Sequence, residues 1–499
     1  MTERTFDEAR RIAAPAVSLP VLLGAAVYIL LLASGAKLLQ DPDSYWHLAV
    51  GQWILAHGAV PHSDMFSFTF LGQKWIAEEW LAQALYAGAY ALGGWTGMVV
   101  LACAAIATAF ALLAAALRER LEVVAVLILA TAALVLAGPH ALARPHALGL
   151  PVMVAWFAGL MRANDRGEAP PLRLLPLIAL WANLHGGFTL GLALLAPIGL
   201  DAVWSTEPAR RKAMALHWLR FVVLAILAAC ATPYGADPIL STYRAFGLGE
   251  VLSNIGEWRP QDFSQLGTFE CLLLSAFAFA LCRGLRFPPV RVVLLLGVLH
   301  LALAHVRAGE ALGLLAPLFI AAPLARQLGS QAAAPQPPLH RNSARANGAV
   351  LAVLMGASFL VMQAQPFAPA PNISPIAAVE KLKAIGGPVL NDHDLGGYLI
   401  FAGVPTFIDG RTELYGERFY MRYSRAMSLQ NVADFLRLLD DYKIGATLLA
   451  PGTPALQILD RLPGWERLYA DDVAVLHRRR EAGPAVPDLR GSLDGAPGP

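Results

Sequence analysis

Asp41-Pro42-Asp43-Ser44-Tyr45-Trp46-His47 follows directly on an apolar run, about Val17 to Leu39. That run is long enough to cross a bilayer, which takes roughly 20 residues in a helix. It is too long for the apolar core of a signal peptide and no cleavage site follows it, so it reads as a retained membrane helix. Two carboxylates and an imidazole therefore stand within seven residues of each other where a helix leaves the lipid. Ionisable groups at such a place are costly and mark function. The rest of the chain has the composition of a membrane protein. Of its 499 residues 57% are hydrophobic and 15% are charged, against about 25% charged in soluble domains. Mean hydropathy is +0.52. A net charge of +2, with no basic run, gives no reason to expect nucleic acid as a partner. The four cysteines, Cys103, Cys230, Cys271 and Cys282, lie in or beside apolar segments without metal-ligand spacing, and read as small buried hydrophobes.

Arg and Lys set the orientation, since they gather on the cytoplasmic side. Arg4, Arg10 and Arg11 place the N-terminus inside, and Asp41 then emerges on the outer face. Arg118 and Arg120, Arg162 to Arg173, Arg210-Arg211-Lys212, Arg283 to Arg291, and Arg326 to Arg345 mark successive returns to the inside. The expected architecture is mostly α: a polytopic bundle of about eleven spans with its C-terminal end outside. The expected domains are a transmembrane region (1–366) with a large first outer loop (40–93), an exported soluble α/β domain (367–479) and a disordered tail (480–499). The stretch 327–346 reads as a loose cytoplasmic loop.

With this alternation every unusual polar cluster falls on the outer face. Asp41 before Pro42 is the pattern of a helix cap followed by proline in the first turn. Asp43 lies four residues before His47, on the same helical face. Asp41 leans toward the cap and Asp43 toward chemistry. Trp46 and Trp53 read as interfacial anchors. Farther along the loop, Ser67–Thr69 with Gly72–Trp75 reads as a hairpin-like strand pair, and Glu78-Glu79-Trp80 opens an amphipathic helix lying on the membrane. Arg144 and His146 close one outer loop. Asn183 and His185 stand beside Gly186-Gly187, where two short spans meet. Glu257 with Trp258 supplies a carboxylate and an aromatic platform, and Arg307 sits at the tip of a tight pair of spans, where an anion or Glu310 would balance it. Beyond Pro366, strands are expected at Pro388–Asn391, Leu399–Phe401, Val404–Ile408, Thr447–Leu449 and Val473–Leu476, with helices near 416–427 and 430–442; Asp409, Arg411 and Tyr415 form a polar set that braces a loop. The sequence has no internal repeat, Gly-rich nucleotide loop, serine elbow or paired zinc ligands.

An acidic Asp-Pro-Asp corner after the first span, in a long outer loop, resembles the GT-C superfamily of membrane glycosyltransferases that use lipid-linked sugars, such as protein mannosyltransferases and aminoarabinose transferases. The strings DPDSYWHLAVGQWIL, SFTFLGQKWIAEEWL, ARPHALGL, WANLHGGFTLGL, NDHDLGGYL and FIDGRTELYG resemble uncharacterised bacterial members. The resemblance implies a sugar donor on a polyprenyl phosphate, membrane lipid as surroundings, and a glycan, lipid or protein acceptor at the periplasmic face of a bacterial inner membrane. It implies inverting transfer with Asp43, then Asp41, as general base. Arg144, His185 and Arg307 are candidates for the phosphate. His47, Glu79, His146, Asn183, Glu257 and Trp258 are candidates to hold sugar or acceptor. Asp43 and His47 are compatible with Mg²⁺ or Mn²⁺ and equally with no metal. The alternative from another class is a transporter or lipid-handling scaffold, but transporters set polar groups near the midplane and often show inverted repeats. The orientation is testable: reporter fusions at Arg118 and Arg211 are expected to read as cytoplasmic and a fusion at Gly410 as exported, and a cytoplasmic Gly410 would break the scheme.

Overall fold

The structure is a computed structural model that describes residues 17–245, 249, 251, 256–329 and 341–480. Arg4, Arg10 and Arg11, Asn254-Ile255, most of the expected 327–346 loop and nearly all of the expected tail lie outside the described residues.

Apolar blocks in the sequence become helices because only a helix satisfies its own backbone in lipid. In chain order these are α1 (Leu19–Ala33), α2 (Asp43–His57), α3 (Trp80–Arg118), α4 (Val123–Ala137) and α5 (Pro145–Asp165). They continue as α6 (Leu175–Leu184), α7 (Phe188–Ala193), α8 (Leu195–Ser205), α9 (Arg211–Ala229) and α10 (Asp237–Ala245). The bundle ends with α11 (Thr268–Arg283), α12 (Pro289–Ala304), α13 (Gly309–Gln327) and α14 (Arg341–Ala364). Among the described residues seven helical segments are long and apolar enough to cross a membrane, and three shorter apolar helices accompany them. With α11, this agrees with the roughly eleven spans read from the sequence.

Helix α3 has two parts. Its backbone leaves helical geometry at Gly93 and Gly94 (φ −152° and +55°), so the residues from Trp80 form one helix and those up to Arg118 another. A positive φ of this kind is a glycine conformation. The break falls where the outer loop was expected to give way to a span.

Charge gathers at both ends of the bundle. At the end where α3 and α5 finish, Arg120 pairs with Asp165 (2.9 Å), while Arg291 pairs with Asp165 and with Asp201 (3.0 Å), and Asn164 donates to Asp201 (2.6 Å). Arg144 stands at the opposite end of α5, and the 21 residues of that helix separate the clusters by roughly 30 Å, about the thickness of a bilayer core. Polar groups at the two ends with an apolar core between them is a membrane-spanning arrangement.

The C-terminal region adds α15 (Ile376–Ile385), β1 (Val389–Asn391), α16 (Gly396–Phe401), α17 (Thr412–Met427), α18 (Val432–Asp441), β2 (Ala446–Leu449), α19 (Leu456–Leu459), β3 (Trp465–Ala470) and β4 (Val475–Arg479). The sheet order is β1-β2-β4-β3, with β1 parallel to β2 and the other pairs antiparallel. Successive strand residues face opposite sides. Val389, Ala446 and Leu448 pack with α15 and α16, while Leu390 and Leu449 pack with α17 and α18. β3 went unread in the sequence, because its polar, exposed positions mask a strand at the sheet edge.

The strands expected at Leu399–Phe401 and Val404–Ile408 and the strand pair Ser67–Thr69 with Gly72–Trp75 are not strands; in Val404–Ile408 only Thr406 forms a bridge, to Ser67, and the segment has no neighbour to ladder with among the described residues. Tyr398-Leu399-Ile400-Phe401 is the helix α16, although its residues favour strands. Leu399 enters the core beneath the sheet, Ile400 packs on Trp46 and Val50, and Tyr398 and Phe401 both meet the ring of Tyr45. Three successive directions suit a helix and not the two faces of a strand. Ser67–Thr69 does not pair with Gly72–Trp75 either. Ser67 bridges Thr406 in parallel, and Ser63 is the residue opposite Lys74. Asp64 turns the chain by accepting from the N–H groups of Phe66 and Ser67, both at 3.1 Å. Phe68 and Phe70 then pack among Phe407, Tyr415 and Phe419. The outer loop is thereby built into the C-terminal core.

The polar set at Asp409 proves larger than one loop. Arg411 is fully buried and binds Asp409 (2.7 Å) and, from the outer loop, Asp64 (2.5 Å); its guanidinium lies over Trp75 (4.8 Å) and Phe66 (5.3 Å). Tyr415 donates to Asp409 (2.6 Å). Removing one partner from a buried ion pair strands the others. Arg411→Met is expected to cost about 3–5 kcal/mol, read as a lowered thermal unfolding midpoint, with Arg411→Lys recovering only part because ammonium cannot reproduce the fork.

Candidate functional site

The site begins at the corner of α1 and α2. The Asp41 carboxylate accepts from the backbone N–H of Asp43 (2.8 Å), and Pro42 follows in a helical conformation (φ −63°, ψ −25°). Asp41 is thus the cap that its sequence suggests. Its second oxygen, however, accepts from Arg144 (2.7 Å). The same guanidinium reaches Asp43 (3.1 Å) and Glu257 (2.7 Å).

Local structure puts Arg144 there. It caps α5 in extended conformation (φ −124°, ψ 163°), with Pro145 opening the helix. Ala143 donates to the carbonyl of Leu38 (2.8 Å), and Tyr86 donates to the carbonyl of Arg144 (3.0 Å). The loop is therefore tied to the end of the first span and to α3. Glu257 is held by its neighbours. His305 bonds the carbonyl of Trp258 (2.9 Å), Val306 donates to Arg259 and Gln261 to Leu303, both at 2.9 Å. This brings Arg307 over the Trp258 ring (5.0 Å) and within 3.6 Å of Glu257. Glu310 is buried behind it in α13.

Glu79 forms a second focus. It lies 3.6 Å from Nδ1 of His47 and 3.3 Å from Nε2 of His185. Gln83, one turn on in α3, lies 3.1 Å from the same His47 nitrogen. Nδ1 of His185 accepts from the N–H of Gly187 (3.0 Å), which leaves Nε2 to carry the ring hydrogen toward Glu79. The expected unit of Asp43 with His47 is replaced by this arrangement. α2 presses so closely on α3 that a Cβ at Gly51 would lie 2.0 Å from the carbonyl oxygen of Gln83. That contact turns the buried His47 toward Gln83 and Glu79.

The remaining candidates divide. His146 bonds the carbonyl of His140 (2.9 Å), and its ring stands 6.2 Å from that of His185. Asn183 is saturated: it accepts from Trp80 (2.8 Å) and donates to the carbonyls of Ala179 and Ala231. Its bonds join three segments of the bundle. Trp46 is buried, with its ring 3.6 Å from that of His47, and is no interfacial anchor; Trp53 stacks on His57.

Burial and charge set the protonation states. Burial pushes Asp43 up to about 6, against the pull of Arg144 and with help from Asp41. Its side chain remains 24% exposed, so the carboxylate is largely sunk in protein yet reachable from outside it. Burial raises Glu79 to about 8, again against Arg144 and Arg307. His47 and His185 lie well below the usual histidine range, first through burial and then through the nearby arginines and imidazoles, so both are neutral. Burial opposes the charge of Arg144, but Asp41, Glu257, Asp43 and Glu79 hold it firmly cationic. With these values an ionised Asp43 and a protonated Glu79 stand at the same end of the bundle near pH 7.

A divalent ion would need donors freed from this network. Among the described residues no three His, Cys, Asp or Glu side chains are grouped as a metal site requires. Asp41, Asp43 and Glu257 share a guanidinium, and His47 belongs to a different cluster. The donors do not fit an ion in this arrangement.

Several groups at the site escaped sequence reading. Gln83 lies at helical spacing from Glu79 and was findable. Glu413, which accepts from Trp75 (3.1 Å), and Gly410 were not, because they come from the C-terminal region. A Cβ at Gly410 would stand 2.0 Å from Oδ1 of Asp43, and one at Gly397 would stand 2.5 Å from the carbonyl oxygen of Pro42. The C-terminal domain touches the corner through bare backbone. Gly410→Ala is expected to destabilise the protein by roughly 1–3 kcal/mol through overpacking, measured as a lower unfolding midpoint, and an unchanged midpoint would show that the contact is loose.

Neither a protein-family model nor a curated protein sequence matches the chain. Solved structures do. The oligosaccharyltransferase AglB from Archaeoglobus fulgidus, in complex with an inhibitory peptide and a dolichol-phosphate, superposes with a TM-score of 0.51 at 11% identity over 86% of this chain and 69% of that one. ArnT from Cupriavidus metallidurans, bound to undecaprenyl phosphate, gives 0.49 at 13% identity over 94% and 99%. The arabinofuranosyltransferase AftD from Mycobacteria gives 0.49 at 15% identity, over 94% of this chain and 41% of its own length. The AglB superposition carries an assignment of fold: the chain shares the fold of that oligosaccharyltransferase, built on helices long and apolar enough to cross a membrane.

Proposed function

We propose that the protein is an integral membrane glycosyltransferase that moves a sugar from a polyprenyl-phosphate-linked donor to an acceptor at the outer face of a bacterial inner membrane. The observation that carries this reading is the cluster at one end of the bundle in which Arg144 gathers Asp41, Asp43 and Glu257, with Arg307 against Glu257 and Glu79 held between His47 and His185. Two carboxyl groups driven to opposite protonation states supply a base and an acid in one site. The AglB structure, of the same fold, holds a dolichol-phosphate, a ligand of the class proposed here.

In this reading Asp43 takes the proton of the acceptor's hydroxyl or amide as that atom attacks the anomeric carbon. The bond from the anomeric carbon to the phosphate oxygen breaks on the opposite side, and its electron pair leaves with the lipid phosphate. One displacement inverts the configuration and needs no glycosyl-enzyme intermediate. Glu79 in its acid form donates to the departing phosphate. Arg307 is the better placed of the two arginines to meet negative charge there, since its ion pair with Glu257 is long and its side chain is one-third exposed. Arg144 holds Asp41, Asp43 and Glu257 in place. The neutral imidazoles of His47 and His185 flank Glu79 and orient it. The polar groups sit at the end of the bundle rather than at its middle, which favours an enzyme over a transporter. The N-terminus is proposed to be cytoplasmic and the C-terminal domain periplasmic.

Asp43→Asn is expected to abolish transfer while expression and thermal unfolding stay unchanged, and full activity would remove Asp43 as the base. The pH dependence follows from the two carboxyls. Below about 6 Asp43 is protonated and cannot accept a proton; above about 8 Glu79 has lost the proton it would donate. The rate is therefore expected to be bell-shaped in pH with limbs near those values, and Glu79→Gln to lose the alkaline limb. A profile flat between pH 5 and 9, measured as initial rates at saturating donor, would reject the pair (limits of about one unit either side of the two carboxyls).

A further inference from the structure

Two polar atoms at the start of α2 have no part in the bonds described so far. One is Nε1 of Trp46. The residue is 7% exposed, and its indole N–H is buried without a hydrogen-bond partner. A buried donor with no acceptor is costly, and folded proteins keep few of them. The other is Oδ1 of Asp43. Arg144 binds the second oxygen of that carboxylate, Oδ2, at 3.1 Å, and among the described residues no donor is bonded to Oδ1.

Both atoms face the same spot. Asp43 and Trp46 are three residues apart on α2 and share one of its faces. The spot is the bare side of Gly410: a Cβ there would lie 2.0 Å from Oδ1 of Asp43 and 3.0 Å from Nε1 of Trp46. Donor and acceptor therefore stand no farther apart than those two distances laid end to end, with no side chain of residue 410 between them. The indole is fixed on its other sides. Its ring lies 3.6 Å from that of His47, Trp75 meets it edge-on at 6.5 Å, and a Cβ at Gly397 would be 3.6 Å from its Cδ1. The carboxylate is the part that turns, because χ2 of an aspartate is a broad, soft torsion. The charged groups facing Asp43 are Asp41 and Arg144 from the bundle, Glu79 from the start of α3 and His393 from the C-terminal region; of these Arg144 alone is bonded to the carboxylate.

We propose that Trp46 is a positioning residue whose indole N–H donates to Oδ1 of Asp43 while Arg144 holds Oδ2, so that indole and guanidinium together fix the plane of the carboxylate. Its service to the chemistry rests on Asp43 being the base; the bond itself does not. An oxygen of an ionised carboxylate has two lone pairs. The indole takes one on Oδ1 and leaves the other for the acceptor's proton. Gly410 keeps the meeting point clear, so the C-terminal region serves the base by lacking a side chain there.

The test uses the full chain in lipid nanodiscs, without substrate. Tyr45-Trp46 is the only Tyr-Trp step in the chain, so ¹³C-labelled tyrosine carbonyls with ¹³C,¹⁵N-labelled tryptophan single out Trp46 by solid-state NMR with no substitution at 46. Between about pH 4 and 8 its indole ¹⁵N signal is expected to titrate with a midpoint of about 6, and in Asp43→Asn to lose that titration. Infrared difference spectra follow Asp43 itself, whose carboxyl band is the one missing from Asp43→Asn. A donor to the charged form lowers a carboxyl pKa, so Trp46→Phe, which keeps a ring and removes the N–H, is expected to raise the Asp43 midpoint by about half to one pH unit. The ionised-to-protonated ratio at a fixed pH then falls roughly three- to tenfold. Trp53→Phe, which changes the indole stacked on His57 of the same helix, leaves the midpoint in place. A Trp46 signal that does not titrate, or that titrates equally in Asp43→Asn, overturns the assignment, as does a midpoint within about 0.2 of the original in folded Trp46→Phe. Sugar transfer is scored separately. A titrating Trp46 signal together with full transfer by Asp43→Asn upholds the bond and rejects Asp43 as the base, whereas loss of transfer in Asp43→Asn with an untitrating Trp46 signal rejects the bond alone.

Discussion

One guanidinium holds the outer end of this molecule together. Arg144 binds Asp41 and Asp43 from the corner of α2 and Glu257 from a loop more than a hundred residues later. Three carboxylates gathered at a membrane surface would repel one another; a single cation of fixed shape makes their approach favourable. Charge balance and geometry are the same fact here. The arginine is positioned by backbone bonds to the first span and to α3, so the carboxylates inherit the rigidity of the bundle. The chemistry proposed for Asp43 depends on this as well, because its pKa is the outcome of burial contending with Arg144. A weaker clamp would leave it protonated, and a stronger one would make it a poor base.

The C-terminal domain adds a second clamp of the same design. Arg411 joins Asp409 of its own loop to Asp64 of the outer loop, 347 residues away in sequence. Around it, Phe68 and Phe70 sit in the aromatic core of the domain, and α16 wraps three of its side chains around the start of α2. The outer loop is therefore shared between the two halves of the protein. Both halves reach Asp43, the bundle through Arg144 and the C-terminal domain through the backbone at Gly410.

Much of this was visible in the residues alone, and the gaps have physical causes. Apolar blocks and their basic flanks report a local constraint, the need to satisfy a backbone in lipid, so the spans and the break near Gly93 were legible. The cap at Asp41 is equally local. The partner of His47 is not. Spacing of four residues puts Asp43 on its face, but the packing of Gly51 against α3 decides where the ring turns. Trp46 looked like an interfacial anchor because its cover comes from residues such as Trp75 and Ile400. Leu399–Phe401 has the residues of a strand, and the three-way demand of its neighbours makes it a helix. Arg307 and Glu257 could be named as polar residues near the lipid boundary; that they meet over Trp258 required the fold.

The break at Gly93 and Gly94 has a consequence for where the site sits relative to lipid. The first half of α3 carries Glu79 at its start and Gln83 and Tyr86 along it, and the second half runs from the break to Arg118. A crossing helix from Gly94 to Arg118 is roughly 37 Å long, longer than a hydrocarbon core of about 30 Å. It must tilt or protrude to fit. The glycine pair uncouples that tilt from the first half, which can keep its height while the crossing half leans. A change in the lean of the crossing half would then leave Glu79 where the first half of α3 holds it. For the proposed donor, whose phosphate would be tied to the membrane surface, a fixed depth of this kind would matter as much as any single contact.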